Sequence, residues 1–586
     1  MIMRLPQAIA RLKSSSMLKR LFPKAPEPAV SVADPFGRRR HLAPPRNKAR
    51  FTLAIGLFVC VYAVIGGRLV MWGAVPNERA SYFGARDQIM AARPDIVDRN
   101  GEVLATDIKT ASLFAEPKNI VDADEASELL LSVLPDLDAK VLYRRLSSKA
   151  GFVWLRRELT PAQQQQILDL GIPGVGFRTE KRRFYPGGST ASHIVGIVNV
   201  DNQGIAGMEK YIDDSGYRDI QNAGLAVGND LEPVKLSIDL RVQHIMRDEL
   251  AAAMVRYKAI AAGGVIIDVS TGEVLAMASL PDYDPNNPGD ALKKENMNRM
   301  SAGVFEMGST FKSFTTAMAL DSGKVKITDS FDTSPFRVSG FTIKEFHSKH
   351  RPLSVPEIFK YSSNVGSAHE ADAVGIDFHR EFLTRLGLLS RLKTELPEVA
   401  SPTQPAVWKK INSMTISYGH GVATTPLQTA VAAVALMNGG FLIPPTFLPR
   451  TAQEADAVKT RVVSEKTSGE MRYLYQLNGE EGSGRSANVA GYRVGGKTGT
   501  AEKVINGRYV GNKRFNAYLA SFPIEAPRYV VLVVVDEPQP EEGKGVGATA
   551  ASNAAPTVAA IIRRSATLLK VKPEFEEPGK SLLVSY

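Results

Sequence analysis

The sequence predicts an α+β protein in three parts: an N-terminal transmembrane helix, a mixed α/β domain, and a larger domain of sheet plus helical subdomain. Three observations predict it. A charge-free apolar run follows a strongly basic N-terminus. Strand signals then alternate with short helical pieces to about residue 230. Beyond that, strands stand at both ends of a long helix-rich stretch. At 586 residues the chain is too long for one core, and 44% apolar with 23% charged residues is a globular composition.

The net charge of +11 points to nucleic acid only until it is located along the chain. Residues 1–50 hold twelve Lys/Arg against Glu27 and Asp34, Arg68 supplies the rest, and residues 76–586 sum to zero. A basic tail on a neutral body is a membrane-topology signal, and no nucleic-acid partner is expected. The tail, 1–50, carries several prolines and reads as flexible, with a short basic amphipathic helix available at 9–22. Residues 51–67 (FTLAIGLFVCVYAVIGG) are free of charge and contain the only cysteine, Cys60. As a helix they span roughly 25 Å, a little under the hydrocarbon core of about 30 Å. Leu69 to Trp72 makes up the shortfall, with Arg68 snorkelling and Trp72 at the interface. A cleaved signal peptide would have a short charged region and a small-residue cleavage site. Fifty residues precede this run, so 51–72 is read as a retained single-pass anchor. Arg46, Lys48 and Arg50 abut it and place the N-terminus in the cytoplasm, with everything after residue 75 outside.

The next domain is taken as 73–230. Ile96-Val97-Asp98-Arg99-Asn100-Gly101-Glu102-Val103-Leu104 reads as two strand ends around an Asn-Gly turn. Helical pieces such as 162–170 lie between such strands. The pattern changes near Lys235 to Asp239, and 231–570 is taken as the second domain. A helix at 241–256 leads into strands at 264–268 and 274–278. Within the helix-rich 291–440, one helix is well punctuated: Thr425 as N-cap, Pro426 at N1, an apolar run to Met437, then Asn438-Gly439-Gly440. Strands return at 492–536, ending in Tyr529 to Val535, a near-continuous apolar run of the kind buried on both faces. Residues 571–586 form a polar tail.

Three short motifs carry chemistry. Gly308-Ser309-Thr310-Phe311-Lys312 opens an apolar stretch ending at Gly323, and on a helix Ser309 and Lys312 share one face of the first turn. A serine hydroxyl needs a base within reach, and a lysine serves once desolvation or a second cation lowers its pKa. A helix N-terminus adds positive potential where an oxyanion develops. Ser362-Ser363-Asn364 follows 53 residues after Ser309, offering a proton relay at Ser362 and an amide holder at Asn364. Lys497-Thr498-Gly499-Thr500 is the one Lys-Thr-Gly in the chain. On a strand, Thr498 and Thr500 share a face and can receive a carboxylate, while Gly499 lets substrate backbone approach. Each motif alone is weak, since Ser16-x-x-Lys19, Ser390-x-x-Lys393 and Ser486-x-Asn488 also match. Order and spacing supply the specificity.

In that order the motifs match those of penicillin-binding proteins and serine β-lactamases. From about residue 85 to 565 the chain resembles the class B, monofunctional penicillin-binding proteins, of the division-specific type. Arg93 to Ala105 (RPDIVDRNGEVLA) is close to the family's pedestal signature. The resemblance also covers Arg183-Phe184-Tyr185-Pro186-Gly187, Gly204 to Glu209, and Ser417-Tyr418-Gly419-His420-Gly421 leading into Thr425 to Gln428. Pro94 and Met307 depart from it, standing where glycine and proline are common. It implies a pedestal (dimerisation-like) domain followed by a transpeptidase domain of penicillin-binding fold, without cofactor or metal. It implies a serine D-Ala-D-Ala transpeptidase of bacterial peptidoglycan, facing the periplasm from the inner membrane and inhibited by β-lactams. Ser309 would attack the penultimate D-Ala of a stem peptide, with Lys312 as base and Ser362, Asn364 and Lys497 in the network. The N–H groups of Ser309 and Thr500 would form the oxyanion hole, and Thr498, Gly499 and Thr500 would line the substrate. An integral-membrane glycan polymerase and the division complex are the implied partners, and an elongation enzyme is the alternative assignment.

Rival readings are weaker. Gly491 to Thr498 satisfies the P-loop pattern, and Val530 to Asp536 looks like the strand and acid that hold magnesium. A P-loop must open a helix, whereas Ala501 onward leads to a hairpin turn at Asn506-Gly507, and only 89 residues follow Lys497. A class A β-lactamase needs a Glu-x-x-Leu-Asn that is missing between Ser362 and Lys497. A sensor of the same fold would lack the pedestal signature, and a bifunctional polymerase would need another domain. His347 and His350 lack a third ligand at metal-binding spacing. Trp154 and Trp408 read as core.

Overall fold

The computed structural model describes residues 48–74, 93–216, 232–345, 348–505, 507–541, 543 and 548–575. Most of the basic tail, the 9–22 segment, His347, Asn506 and residues 576–586 lie outside the described residues. The chain divides into two compact units, 1–88 and 89–586. In the first, α1 (Lys48–Ala74) covers the expected anchor segment as a helix of 27 residues. Its described side chains run from Ile55 to Arg68, and over the described residues no helix is long and apolar enough to cross a membrane.

The second unit begins with the hairpin read from Asn100-Gly101. Strand β1 (Ile96–Val97) pairs antiparallel with β2 (Val103–Ala115), and β2 continues against β3 (Val153–Leu159) and β4 (Val175–Phe184). Asp98 fixes the turn: its carboxylate accepts the N–H groups of Asn100, Glu102 and Leu240, at 2.7, 2.9 and 3.0 Å. Helices α2 (Ala123–Val133), α3 (Ala139–Leu146) and α4 (Pro161–Asp169) bury Leu130, Leu142, Leu146 and Ile167 with Leu113, Leu155 and Leu159 of the strands. Helix α4 lies one residue earlier than the predicted 162–170, with Thr160 and Gln163 forming a capping box. Helix α5 (Gly207–Asp214) carries Glu209, fully buried and bonded to Nε of Arg93 and of Arg183 at 2.8 and 2.6 Å. Strand β5 (Val234–Lys235) pairs parallel with β1, so the chain passes into the larger part through a shared sheet.

That larger part is built on one antiparallel five-stranded sheet. Its strands are β6 (Ala261–Asp268), β7 (Val274–Leu280), β8 (Gly495–Ile505), β9 (Arg508–Phe522) and β10 (Tyr529–Asp536), in the order β8-β9-β10-β6-β7. Sequence-distant ends therefore meet where β10 pairs with β6, Tyr529 opposite Asp268. The run Tyr529 to Val535 is buried throughout, and its residues alternate between two cores. Val530, Leu532 and Val534 face the helical subdomain, while Val531, Val533 and Val535 face α6 (Leu240–Arg256) and α12 (Ala554–Ser565). On the subdomain side lie α7 (Lys312–Asp321), α8 (Val355–Tyr361), α9 (Asn364–Val374), α10 (Pro426–Met437) and α11 (Glu465–Glu481). Helix α10 is buried on every side and has the expected ends, Thr425 Oγ1 accepting Gln428 N–H at 3.1 Å and Asn438 closing it. The stretch 291–440 also contains two small strand pairs that the helical reading omitted, Ser330–Phe331 with Leu353–Ser354 and Phe336–Val338 with Phe341–Ile343.

Candidate active site

The nucleophile motif does not open directly as α-helix. Gly308–Phe311 is a 3-10 turn, and α7 begins at Lys312. Thr310 Oγ1 donates to Met307 O at 2.8 Å and tightens that turn. Three residues per turn keep Ser309 and Lys312 on one side, so the expected facing survives the different start. Ser309 opens into a cavity of about 560 Å³ that Ser362, Asn364, Thr498 and Thr500 also line. Lys312 is buried and donates to Ser362 O at 2.5 Å, to Ser362 Oγ at 3.1 Å and to Asn364 Oδ1 at 2.7 Å.

Ser362 ends α8 in the left-handed region, φ 58° and ψ 46°. A non-glycine residue there is strained and needs its surroundings to hold it. The conformation turns Oγ between two lysines: Lys497 Nζ donates to it at 2.9 Å. Thus Lys312, Ser362 and Lys497, drawn from a helix, a helix end and an edge strand, share one hydrogen-bonded network. Asn364 opens α9, whose first N–H groups are capped by Glu345: Asn364 N–H donates to Oε2 at 3.0 Å and Val365 N–H to Oε1 at 3.2 Å.

Two ammonium groups cannot be buried side by side without cost. Burial first, and then the Lys497 charge, hold Lys312 well below its ordinary pKa, with Glu345 and Glu370 pulling the other way. Burial brings Lys497 down to about 7. As a neutral amine Lys312 can accept a proton, and a hydroxyl one turn away is a proton source. Glu370 is buried behind it, held by Thr316 Oγ1 at 3.0 Å, and burial pushes its carboxyl up to about 8.

Lys497 to Thr500 lie on β8, an edge strand of the sheet, as predicted. Thr498 Oγ1 shares a hydrogen bond with Ser483 Oγ at 2.7 Å, and Thr500 Oγ1 accepts Ala550 N–H at 3.1 Å. Gly499 differs from expectation. A Cβ there would lie 2.4 Å from Met307 O and 2.8 Å from Thr310 Cγ2. Its bare face is occupied by the Ser309 turn, so the glycine serves close packing of strand on turn and is not open to substrate. The strand also disposes of the P-loop pattern, since 495–498 opens no helix and Lys497 is wholly buried.

Sequence reasoning missed other groups on the cavity wall: Glu345, Tyr418, His420, Glu502 and Arg514. Glu502 and Arg514 face each other across β8 and β9. Only the Ser-Tyr-Gly-His-Gly stretch carried any signal, through the resemblance. Among the described residues no group of His, Cys, Asp and Glu forms a metal site.

A buried lysine pair beside an open serine, on a sheet covered by helices, defines a serine acyl-transfer enzyme. Comparison with known proteins gives its family. The penicillin binding protein transpeptidase domain matches residues 262–563, and the penicillin-binding protein dimerisation domain matches 88–226. The chain belongs to the penicillin-binding protein transpeptidase family. The probable peptidoglycan D,D-transpeptidase FtsI of Caulobacter vibrioides is 37% identical over 558 residues, covering 92% of each chain. The probable peptidoglycan D,D-transpeptidase PenA of Neisseria gonorrhoeae is 34% identical over 473 residues, 76% of this chain and 80% of its own. The peptidoglycan D,D-transpeptidase FtsI of Escherichia coli is 31% identical over 563 residues, 90% of this chain and 92% of its own.

Proposed function

We propose that this chain is a peptidoglycan D,D-transpeptidase that crosslinks stem peptides during cell division through an acyl-enzyme at Ser309. The observation that carries the reading is the convergence of Lys312, Ser362 and Lys497 on one network beside Ser309. Neutral Lys312 takes the Ser309 proton as Oγ attacks the penultimate D-Ala carbonyl. The N–H groups of Ser309 and Thr500 hold the oxyanion. Collapse expels the terminal D-Ala, whose nitrogen takes a proton returned through Ser362. Thr498 and Thr500 receive the donor's terminal carboxylate, with Lys497 supplying positive charge when protonated. An amine of a neighbouring stem then resolves the ester and forms the crosslink. β-Lactams acylate the same hydroxyl.

The chain is proposed to work from the bacterial inner membrane, held by α1 with the N-terminus cytoplasmic and the catalytic part periplasmic. Three observations support this: the charge-free run 51–67, the basic residues before it, and the exposure of Ile55, Leu57, Phe58, Val59, Val64 and Ile65 on the helix. Large apolar side chains in such number need a non-aqueous cover. The proposed partners are an integral-membrane glycan polymerase and the division complex, which supply the nascent strands.

The test of the chemistry is labelling of the intact protein with a fluorescent β-lactam, followed by peptide mapping. The adduct maps to Ser309, and Ser309→Ala abolishes labelling with an unchanged melting curve. Labelling that persists in the alanine variant rejects Ser309 as nucleophile. Depletion tests the process: long, unseptated cells are expected, whereas rounded cells that still divide would assign the enzyme to elongation.

A further inference from the structure

The cavity wall carries an imidazole, His420, with a carboxylate, Glu306, beside it, and the three motifs include neither. Glu306 stands three residues before Ser309, on the segment leading into its turn. Its carboxylate accepts Gly421 N–H at 2.7 Å and the Tyr509 hydroxyl at 3.2 Å, and faces His420 Nδ1 at 3.2 Å. The imidazole is also edge-on to Tyr418 and Tyr509, with centroids 5.6 and 5.3 Å away. A carboxylate at Nδ1 selects the tautomer protonated there and leaves Nε2 as the acceptor. Among the described residues Nε2 makes no hydrogen bond, and the His420 side chain is 32% exposed.

The His420 loop touches the nucleophile's own turn. Gly419 has φ +96°, and a Cβ there would lie 2.0 Å from Gly308 O, so only glycine permits this contact. His420 and Ser309, each one residue from that contact, line the same cavity.

Transpeptidation has two half-reactions with different proton demands. In the first, the Ser309 hydroxyl loses a proton. In the second, an amine attacks the acyl-enzyme: the N–C bond forms, the C–O bond to Ser309 breaks, nitrogen sheds one proton and Oγ regains one. Lys312 follows Ser309 by one turn and is bonded to Ser362 and Asn364, which suits it to the first transfer and to the return of the proton to Oγ. We propose that His420, oriented by Glu306, is the base that takes the proton from the acceptor amine. This inference rests on the transpeptidase reading above. His420 is then a catalytic residue of the second half-reaction, and Glu306 is its positioning residue.

The experiment measures both half-reactions on the full chain. Acylation is followed with a fluorescent β-lactam, and transfer with a thioester stem-peptide mimic as donor and a D-amino acid as acceptor. H420Q keeps the side chain's polarity and approximate size but cannot take a proton. Its aminolysis rate is expected to fall about a hundredfold while acylation by the β-lactam changes far less. E306Q is expected to lower the maximal aminolysis rate with little change in the acceptor KM, the mark of lost proton transfer and not lost binding. An equal fall in acylation and aminolysis, or a rise in acceptor KM alone, would overturn the proposal, because a structural role gives those results. Wild-type protein that neither the β-lactam nor the thioester acylates would reject the transpeptidase reading, and this inference with it.

Discussion

Lys497 illustrates how a single residue trades stability for chemistry. It is completely buried, and its hydrogen bonds go to Ser362 Oγ and Thr498 O, not to a carboxylate. Burial brings its pKa to about 7 from the ordinary 10.5. Between those values the unfolded chain holds the proton and the folded chain does not, so stability climbs with pH across that window. Lys497→Met removes the penalty and should stabilise the protein at pH 7 by on the order of 2–4 kcal/mol, after the lost hydrogen bonds are set against it. The gain should shrink as pH rises toward 10, and β-lactam acylation should fall at least about a hundredfold. Thermal melts at two pH values, with labelling in parallel, check it; a variant less stable than wild type at pH 7 contradicts the argument. The identities and order of Ser309, Lys312, Ser362, Asn364 and Lys497 were legible in the sequence because each falls in a motif. The strain at Ser362 was not, because no serine announces a left-handed backbone. Nor were Glu306 and His420 legible as a pair: they are 114 residues apart and meet only through tertiary contacts, Gly419 on Gly308, Gly421 N–H on Glu306, and the bridge of Phe305 to Thr424.

Among elements, those with strong local signals were read correctly and those set by tertiary contact were not. Helix α10 has its cap, its proline and its terminator in sequence, and Tyr529 to Val535 has an unbroken apolar run. The hairpin Phe336–Val338 with Phe341–Ile343 has three residues per strand, too few for a period, and its turn rests on Ser339 and Gly340 at φ 49° and 84°. Strand β8 is legible as a strand, but the neighbour of Gly499 is not, since a contact with Met307, 192 residues earlier, leaves no local trace. That contact predicts a sharp effect. In Gly499→Ala the new methyl meets backbone at Met307 O, which cannot move aside like a side-chain end. The strand and the Ser309 turn must separate, at about 1–3 kcal/mol for overpacking. Displacing the nucleophile by an ångström should slow acylation about a hundredfold. Stopped-flow acylation beside a melting curve decides it, and a variant of normal rate would show that the turn is free to shift.

For residues 89–586 as a whole, the pedestal part and the catalytic part share their interior. Ile96, Leu104, Tyr185, Ile194 and Met208 belong to the same buried cluster as Phe311, Phe314, Leu427 and Leu532. Polar ties cross the same border: Tyr185 N–H donates to Asn286 Oδ1 at 3.0 Å, Gly207 N–H to Glu398 at 3.2 Å, and Gln243 Nε2 to Thr190 O at 2.9 Å. At the root of the pedestal the buried carboxylate of Glu209 joins Arg93 and Arg183, with Asp213 and Asp107 completing the cluster. Glu209→Ala leaves two buried guanidinium groups short of their central partner, at about 3–5 kcal/mol. If the two parts were independent, the pedestal would melt early and β-lactam labelling at Ser309 would survive that step. A common core predicts otherwise. In both wild type and Glu209→Ala, loss of secondary structure and loss of labelling should follow one transition, displaced to lower temperature in the variant. Circular dichroism and β-lactam labelling along the same temperature ramp measure it. Labelling that outlasts a first unfolding step in Glu209→Ala would show two bodies in contact and not one folding unit.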